Sequence, residues 1–169
     1  MNHEELNRLM RDEQYLNFQI GYYLQNKVVF QQEIKSGEVS GHVEKAEHNL
    51  NFVKDNSTKY SDWAVVGCYY AAYHIAMALI LKKGFFSKSH DATLCLLIKH
   101  YHNSELSIED FELLNSFYLD NQDILFYVES KAEREKASYS SQIAFDKATV
   151  NGLQLKTILF VNKCKEILK

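Results

Sequence analysis

Apolar residues recur at spacings of three and four along most of the chain, and one stretch breaks that rhythm by being apolar throughout. Leu6, Leu9, Leu16, Ile20 and Leu24 make a first helical stripe, with Gly21 as the point where a bend or break is expected. Val43, Ala46, Leu50 and Val53 make a second, which is a single narrow seam. Between the two, "KSGEVSGH" at 35 to 42 carries two glycines and two serines and reads as a connection, with Ser40 as N-cap of the next helix. The polar stretch "DNSTKYSD" at 55 to 62 then leads into a third helix, which Ser61 or Asp62 can cap and Trp63 can anchor.

That third helix runs to about Lys83, where Gly84 supplies the positive backbone angle that ends a helix. Leu94, Leu97, Ile98 and Tyr101 share one face of a fourth segment. Ser107 and Asp110 form a capping-box-like S-x-x-D ahead of Phe111, Leu114, Tyr118, Leu125 and Val128. Residues 131 to 141 are polar and read as a fraying helix end or a loop. Val150, Leu153, Phe160, Val161, Cys164, Ile167 and Leu168 mark the last helix. No alternating strand pattern and no internal repeat is visible. The elements predict an all-α fold, an antiparallel up-and-down helical bundle of five or six helices. Residues 1–39 are expected to be an N-terminal helical extension of a bundle over 40–169, in one compact domain.

From Trp63 to Leu81 there are nineteen residues without a formal charge, close to the roughly 20 needed to cross a bilayer. His74 and the tyrosines Tyr69, Tyr70 and Tyr73 would each need a polar partner at that depth. Every other helix carries an apolar stripe that must bury against something, and an element apolar all round is the natural centre. The expected reading is the core helix of a soluble bundle, with a single-span anchor as the alternative. The chain has no proline and only six glycines, which disfavours folds built from many tight turns.

The net charge of −3 gives no overall electrostatic footprint for non-specific nucleic-acid binding. Cys68, Cys95 and Cys164 lie in apolar surroundings without C-x-x-C spacing, as reduced buried thiols do. The polar, acidic start resembles neither a secretory signal nor a transit peptide, so a cytoplasmic protein is expected.

Candidate chemistry is sparse. His74 lies one turn beyond Tyr70, so the two can share a face and line a cleft. Ser89 and His90 can cap the fourth helix or, with Lys88, hold a phosphate-bearing ligand at its N-terminus. Arg134 is either a solvated charge within "EREK" or a site residue. Glu44 with His48, and His100 with His102, lack further ligands and read as surface residues, so no metal site is expected. No glycine-rich phosphate loop calls for a cofactor.

One ordered set of residues resembles a known family. The Ala46–Leu50 seam is followed by "YSDWA", "YYAAYHIAMALI", Gly84, "KSH" at 88 to 90 and "REKASY" at 134 to 139. Together these look like the HEPN family, in particular its small stand-alone prokaryotic branch, over roughly residues 40 to 169. The resemblance implies an antiparallel helical bundle that forms a homodimer and is often encoded beside a minimal nucleotidyltransferase as a toxin–antitoxin or defence pair. Many members are metal-independent ribonucleases with an Arg-x(4–6)-His motif facing its copy across a dimer cleft. Arginine offers a planar cationic fork to a phosphate, and histidine moves protons near neutral pH. Here Arg134 is followed after four residues by Tyr139, and Ser138 stands where the branch has aspartate.

The resemblance therefore implies a HEPN-like partner of a nucleotidyltransferase that binds partner, nucleotide or RNA in a dimer cleft without strong catalysis. One alternative is a metal-independent endoribonuclease toxin using Arg134 and Tyr139, with His74 or His90 moving the proton. A related variant makes the Tyr139 hydroxyl a target that a partner nucleotidyltransferase modifies. The other alternative is a purely structural helical adaptor.

Overall fold

A computed structural model describes residues 1–102, 104–117 and 147–169. Arg134, Ser138 and Tyr139 lie outside the described residues. The helices are α1 (His3–Arg11), α2 (Glu13–Gln25), α3 (Ser36–Asn56), α4 (Ser61–Lys82), α5 (His90–Tyr101), α6 (residues 108–117) and α7 (Lys147–Leu168). Two short strands, β1 (Val29–Gln31) and β2 (Phe85–Ser87), complete the described elements. The fold is predominantly helical, as the apolar spacing predicts.

The uncharged run forms α4 and is the centre of the bundle. Ala71, Ala72, Ile75, Ala76, Met77, Leu79 and Ile80 have no exposed surface. Although α4 is long and apolar enough to cross a membrane, 83% of its most apolar window is buried by its neighbours. Leu6 and Leu9 of α1 and Leu16 of α2 join the same core, as do Leu94 and Leu97 of α5, Phe111 of α6 and Phe160 and Val161 of α7.

The α3–α4 hairpin is antiparallel, since Val53 meets Gly67 near the turn and His42 meets His74 farther from it. A Cβ on Gly67 would stand 2.5 Å from Val53 Cγ2, so the close crossing of these helices requires glycine. At the far end of α4, Gly84 takes φ +77 and donates its N–H to the Leu81 carbonyl at 2.9 Å. The chain then returns along α4 through β2, and α5 runs in the same direction as α4. Two contacts fix that direction: His90 meets Tyr69, while the Tyr101 hydroxyl donates to the Leu79 carbonyl at 2.9 Å.

Several local expectations are corrected. Helix α3 begins at Ser36, so residues 36 to 42 are helix and Ser40 lies inside it rather than capping it. Gly37 and Gly41 face open space, while Glu38 binds Gln32 at 2.9 Å and Lys35 at 3.0 Å and steadies the first turn. Helix α2 passes through Gly21 without a break. The break falls at Asp12, whose carboxylate accepts the Tyr15 N–H at 2.9 Å and starts a new helix. Neither Ser61 nor Asp62 caps α4; the cap position is Tyr60, with no side-chain bond. Trp63 is 45% exposed and is not a buried anchor.

Strands β1 and β2 pair antiparallel through Phe30 and Phe86, and three residues are too few to show an alternating pattern. Glu44 and His48 are exposed, whereas His100 and His102 are partly buried against Phe85 and Phe111.

Other signals are found as expected. Ser107 and Asp110 form the capping box, with the Ser107 N–H donating to Asp110 Oδ2 at 2.8 Å. Lys163 of α7 reaches the same carboxylate at 2.5 Å. The three cysteines are free and buried; burial pushes the Cys68 thiol up to about 11 and Cys95 to about 12, so both stay protonated.

Candidate functional site

The polar tips of α4 gather into two centres on either side of Tyr73. On the side facing α3, the rings of Tyr70 and His74 stack one turn apart, with centroids 6.3 Å apart and planes 27° from parallel. His74 Nδ1 lies 3.1 Å from Nδ1 of His42, which α3 brings across. On the side facing α5 and α6, the Tyr69 hydroxyl lies 3.0 Å from His90 Nε2, and Phe117 closes the cluster with its ring 6.5 Å from that of Tyr69. Tyr73 stands between, its ring 5.2 Å from His74 and 5.6 Å from His90. Tyr69 is buried, while Tyr70, Tyr73, His74, His42 and His90 each keep some exposed surface.

Burial disfavours the charged form of the histidines in both centres. Burial pulls His74 down to about 4, helped by the nearby His42 and by the Lys45 ammonium. Burial also lowers His42, with Lys45 adding to the effect and the Glu38 carboxylate opposing it. Burial lowers His90 against the pull of Asp91. The Tyr73 phenol is raised, first by burial and then by Tyr70. An imidazole with a depressed pKa keeps a free lone pair and can accept a proton or a hydrogen bond.

The structure unites His74 with Tyr70, as their spacing suggests, and adds His42. The pattern of residues hid His42 because the glycines and serines of 35 to 42 read as a connection. The available signal was the seam itself, since one helical turn before Ala46 falls on His42.

Lys88, Ser89 and His90 point to separate tasks. The Ser89 hydroxyl caps α5 by accepting the Ala92 N–H at 3.5 Å, and the Ser89 carbonyl takes hydrogen bonds from the hydroxyls of Ser87 and Thr93. The Lys88 ammonium is 4.5 Å from the centroid of the Phe30 ring. His90 turns toward Tyr69. Among the described residues no group of three or more His, Cys, Asp or Glu side chains converges as a metal site.

Comparison with known proteins identifies the scaffold. The model of the HEPN domain matches residues 39–145. The chain belongs to the HEPN family. A curated relative from Methanocaldococcus jannaschii, named "Putative toxin MJ0142", is 29% identical over 128 residues, covering 75% of this chain and 78% of the relative. The matched stretch begins just before His42 and contains both centres on α4, together with Arg134 and Tyr139.

Proposed function

We propose that this HEPN protein acts in a toxin-type system and binds a nucleotide or single-stranded RNA on the Tyr70–Tyr73–His74–His42 face. The observation that carries the reading is the pairing of accessible aromatic rings with neutral imidazoles beside the charge of Lys45. Aromatic faces accept bases by stacking, a lysine attracts the phosphate backbone, and neutral imidazoles donate and accept hydrogen bonds. The name of the archaeal relative supports the toxin setting. The HEPN resemblance adds a homodimer and a nucleotidyltransferase partner, and it gives Arg134 the phosphate and Tyr139 a hydroxyl at the cleft.

Titrating the full-length protein with fluorescent single-stranded RNA and with AMP tests the reading. Tyr70→Ala is expected to weaken binding about tenfold or more, the scale of one lost stacking contact. Phe18→Ala on the exposed face of α2 serves as the neutral control. Co-expression with a minimal nucleotidyltransferase from the same genome is expected to give a co-purifying complex. A monomer that binds no nucleotide, RNA or partner contradicts the proposal and favours the structural adaptor.

The second reading is a metal-independent endoribonuclease, and the His42–His74 contact favours it by placing two neutral imidazoles within hydrogen-bond distance. In that case expression arrests growth and Arg134→Ala abolishes the arrest. Full arrest by the Arg134→Ala variant contradicts it.

A further inference from the structure

We infer that His42 and His74 form a two-histidine site for a divalent transition-metal ion such as zinc, nickel or copper, held between their Nδ1 atoms where α3 crosses α4. The inference is independent of the RNA-binding reading above, and its test involves no RNA.

The spacing carries it. The two Nδ1 atoms lie 3.1 Å apart, and the rings stand with centroids 5.1 Å apart and planes 60° from parallel. Zinc binds an imidazole nitrogen at about 2.0–2.1 Å, so two such bonds meeting at about 90–110° set their nitrogens roughly 2.9–3.4 Å apart. The observed separation falls within that range. A turn of the rings about their own bonds aims both lone pairs at one ion while the helices stay in place. Both ligands stand on helices whose crossing is fixed where Val53 meets Gly67, the rigid support that a ligand pair needs. Imidazole nitrogen suits zinc, nickel and copper, whereas magnesium and calcium call for oxygen.

The surroundings leave the nitrogens available. Burial lowers the pKa of both histidines, so protons compete weakly with a metal for the lone pairs. The charged groups facing the pair are Lys45 and Glu38 of α3, with the rings of Tyr70 and Tyr73 of α4 alongside. The Lys45 ammonium repels a cation, but the residue is exposed and its long stem can turn into water. Glu38, one turn before His42, is held below the ordinary carboxylate range by Lys35 and then Gln32, and it attracts the ion. Without a metal, one ring donates its Nδ1 proton to the other ring at this contact. With a metal, both rings carry their single proton on Nε2, so one ring changes tautomer and no proton is released overall. Both rings keep some exposed surface, so water completes the coordination that two protein ligands leave open.

Calorimetric titration of the untagged, full-length protein with zinc chloride, after a chelator has stripped it of metal, tests the site. The expected result is one zinc ion bound per chain, a rise in Tm that excess chelator reverses, and no binding of magnesium. His42→Ala and His74→Ala are each expected to weaken zinc binding by more than about tenfold. His74→Gln fills much of the same space without an imidazole and is expected to weaken it as much, which separates a lost ligand from a lost fold. His48→Ala, at an exposed position on α3, is expected to bind zinc normally. Imidazole ¹⁵N NMR is expected to show both rings protonated on Nε2 in the zinc form. Three results overturn the inference: no zinc bound at millimolar concentration, unchanged affinity in the His42 and His74 variants, or affinity lost in His48→Ala, which places the ion at Glu44 and His48 instead. The RNA-binding reading stands or falls on its own titration.

Discussion

His74 and His90 flank the same tyrosine, and burial keeps both neutral, yet their partners make them different chemical groups. His90 is held by the phenol of Tyr69, whose hydroxyl lies 3.0 Å from its Nε2. That contact fastens the start of α5 to α4, with Phe117 packed alongside. His74 is held by another imidazole, a group of its own kind that can donate or accept at the contact according to its tautomer. Half-burial alone does not make the two histidines alike; the partner that each one meets sets them apart.

The comparison is tested most severely by truncation on each side. Tyr69 is 5% exposed and joins three helices, so Tyr69→Ala is expected to cost about 3 kcal/mol or more. That corresponds to a fall in Tm of about 10 °C in thermal unfolding of a chain this size. Tyr70→Ala, at a position with some exposure, is expected to cost only about 1 kcal/mol while weakening RNA binding. Equal losses of stability would erase the distinction between the two centres.

The next effect concerns the helix crossing that brings His42 to His74. Gly67→Val forces a side chain into Val53 and Phe52, an overpacking cost of about 1–3 kcal/mol. It is also expected to part the two imidazoles, so that NMR contacts between the His42 and His74 rings disappear. A folded Gly67→Val protein that keeps them would show that the crossing does not set the pair.

A smaller effect is expected with pH. Folding lowers the pKa of His42, His74 and His90 below the ordinary value near 6.5, with His74 reaching about 4. Between those values the unfolded chain binds more protons than the folded one. Stability is therefore full above about pH 6.5 and is lost progressively as pH falls toward 4. Tm measured at pH 7.5 and at pH 5 should drop, and His74→Gln should shrink that drop. An unchanged Tm would mean that these imidazoles are charged in the fold.

Much of the scaffold was legible in the order of residues, because its signals were local. The uncharged run from Trp63 to Leu81, the stop at Gly84, the Ser107–Asp110 box and the apolar setting of the cysteines each act within a few residues. Tyr70 and His74 were legible as a pair for the same reason, being one helical turn apart. What escaped depends on contacts between distant residues. Helix α3 extends back to Ser36 through two glycines because it packs on α4 and because Glu38 ties down its first turn. His42 meets His74 only once that added turn exists. Ribbon β1–β2 is likewise a product of pairing between residues more than fifty positions apart.

The most direct test follows the side-chain resonances of the histidines while single-stranded RNA is added to the full-length protein. The account expects His42 and His74 to shift together and saturate with the bound fraction, while His90, tied to Tyr69, stays in place. Movement of His90 with His42 and His74 unmoved would contradict it and place the ligand at the start of α5 instead.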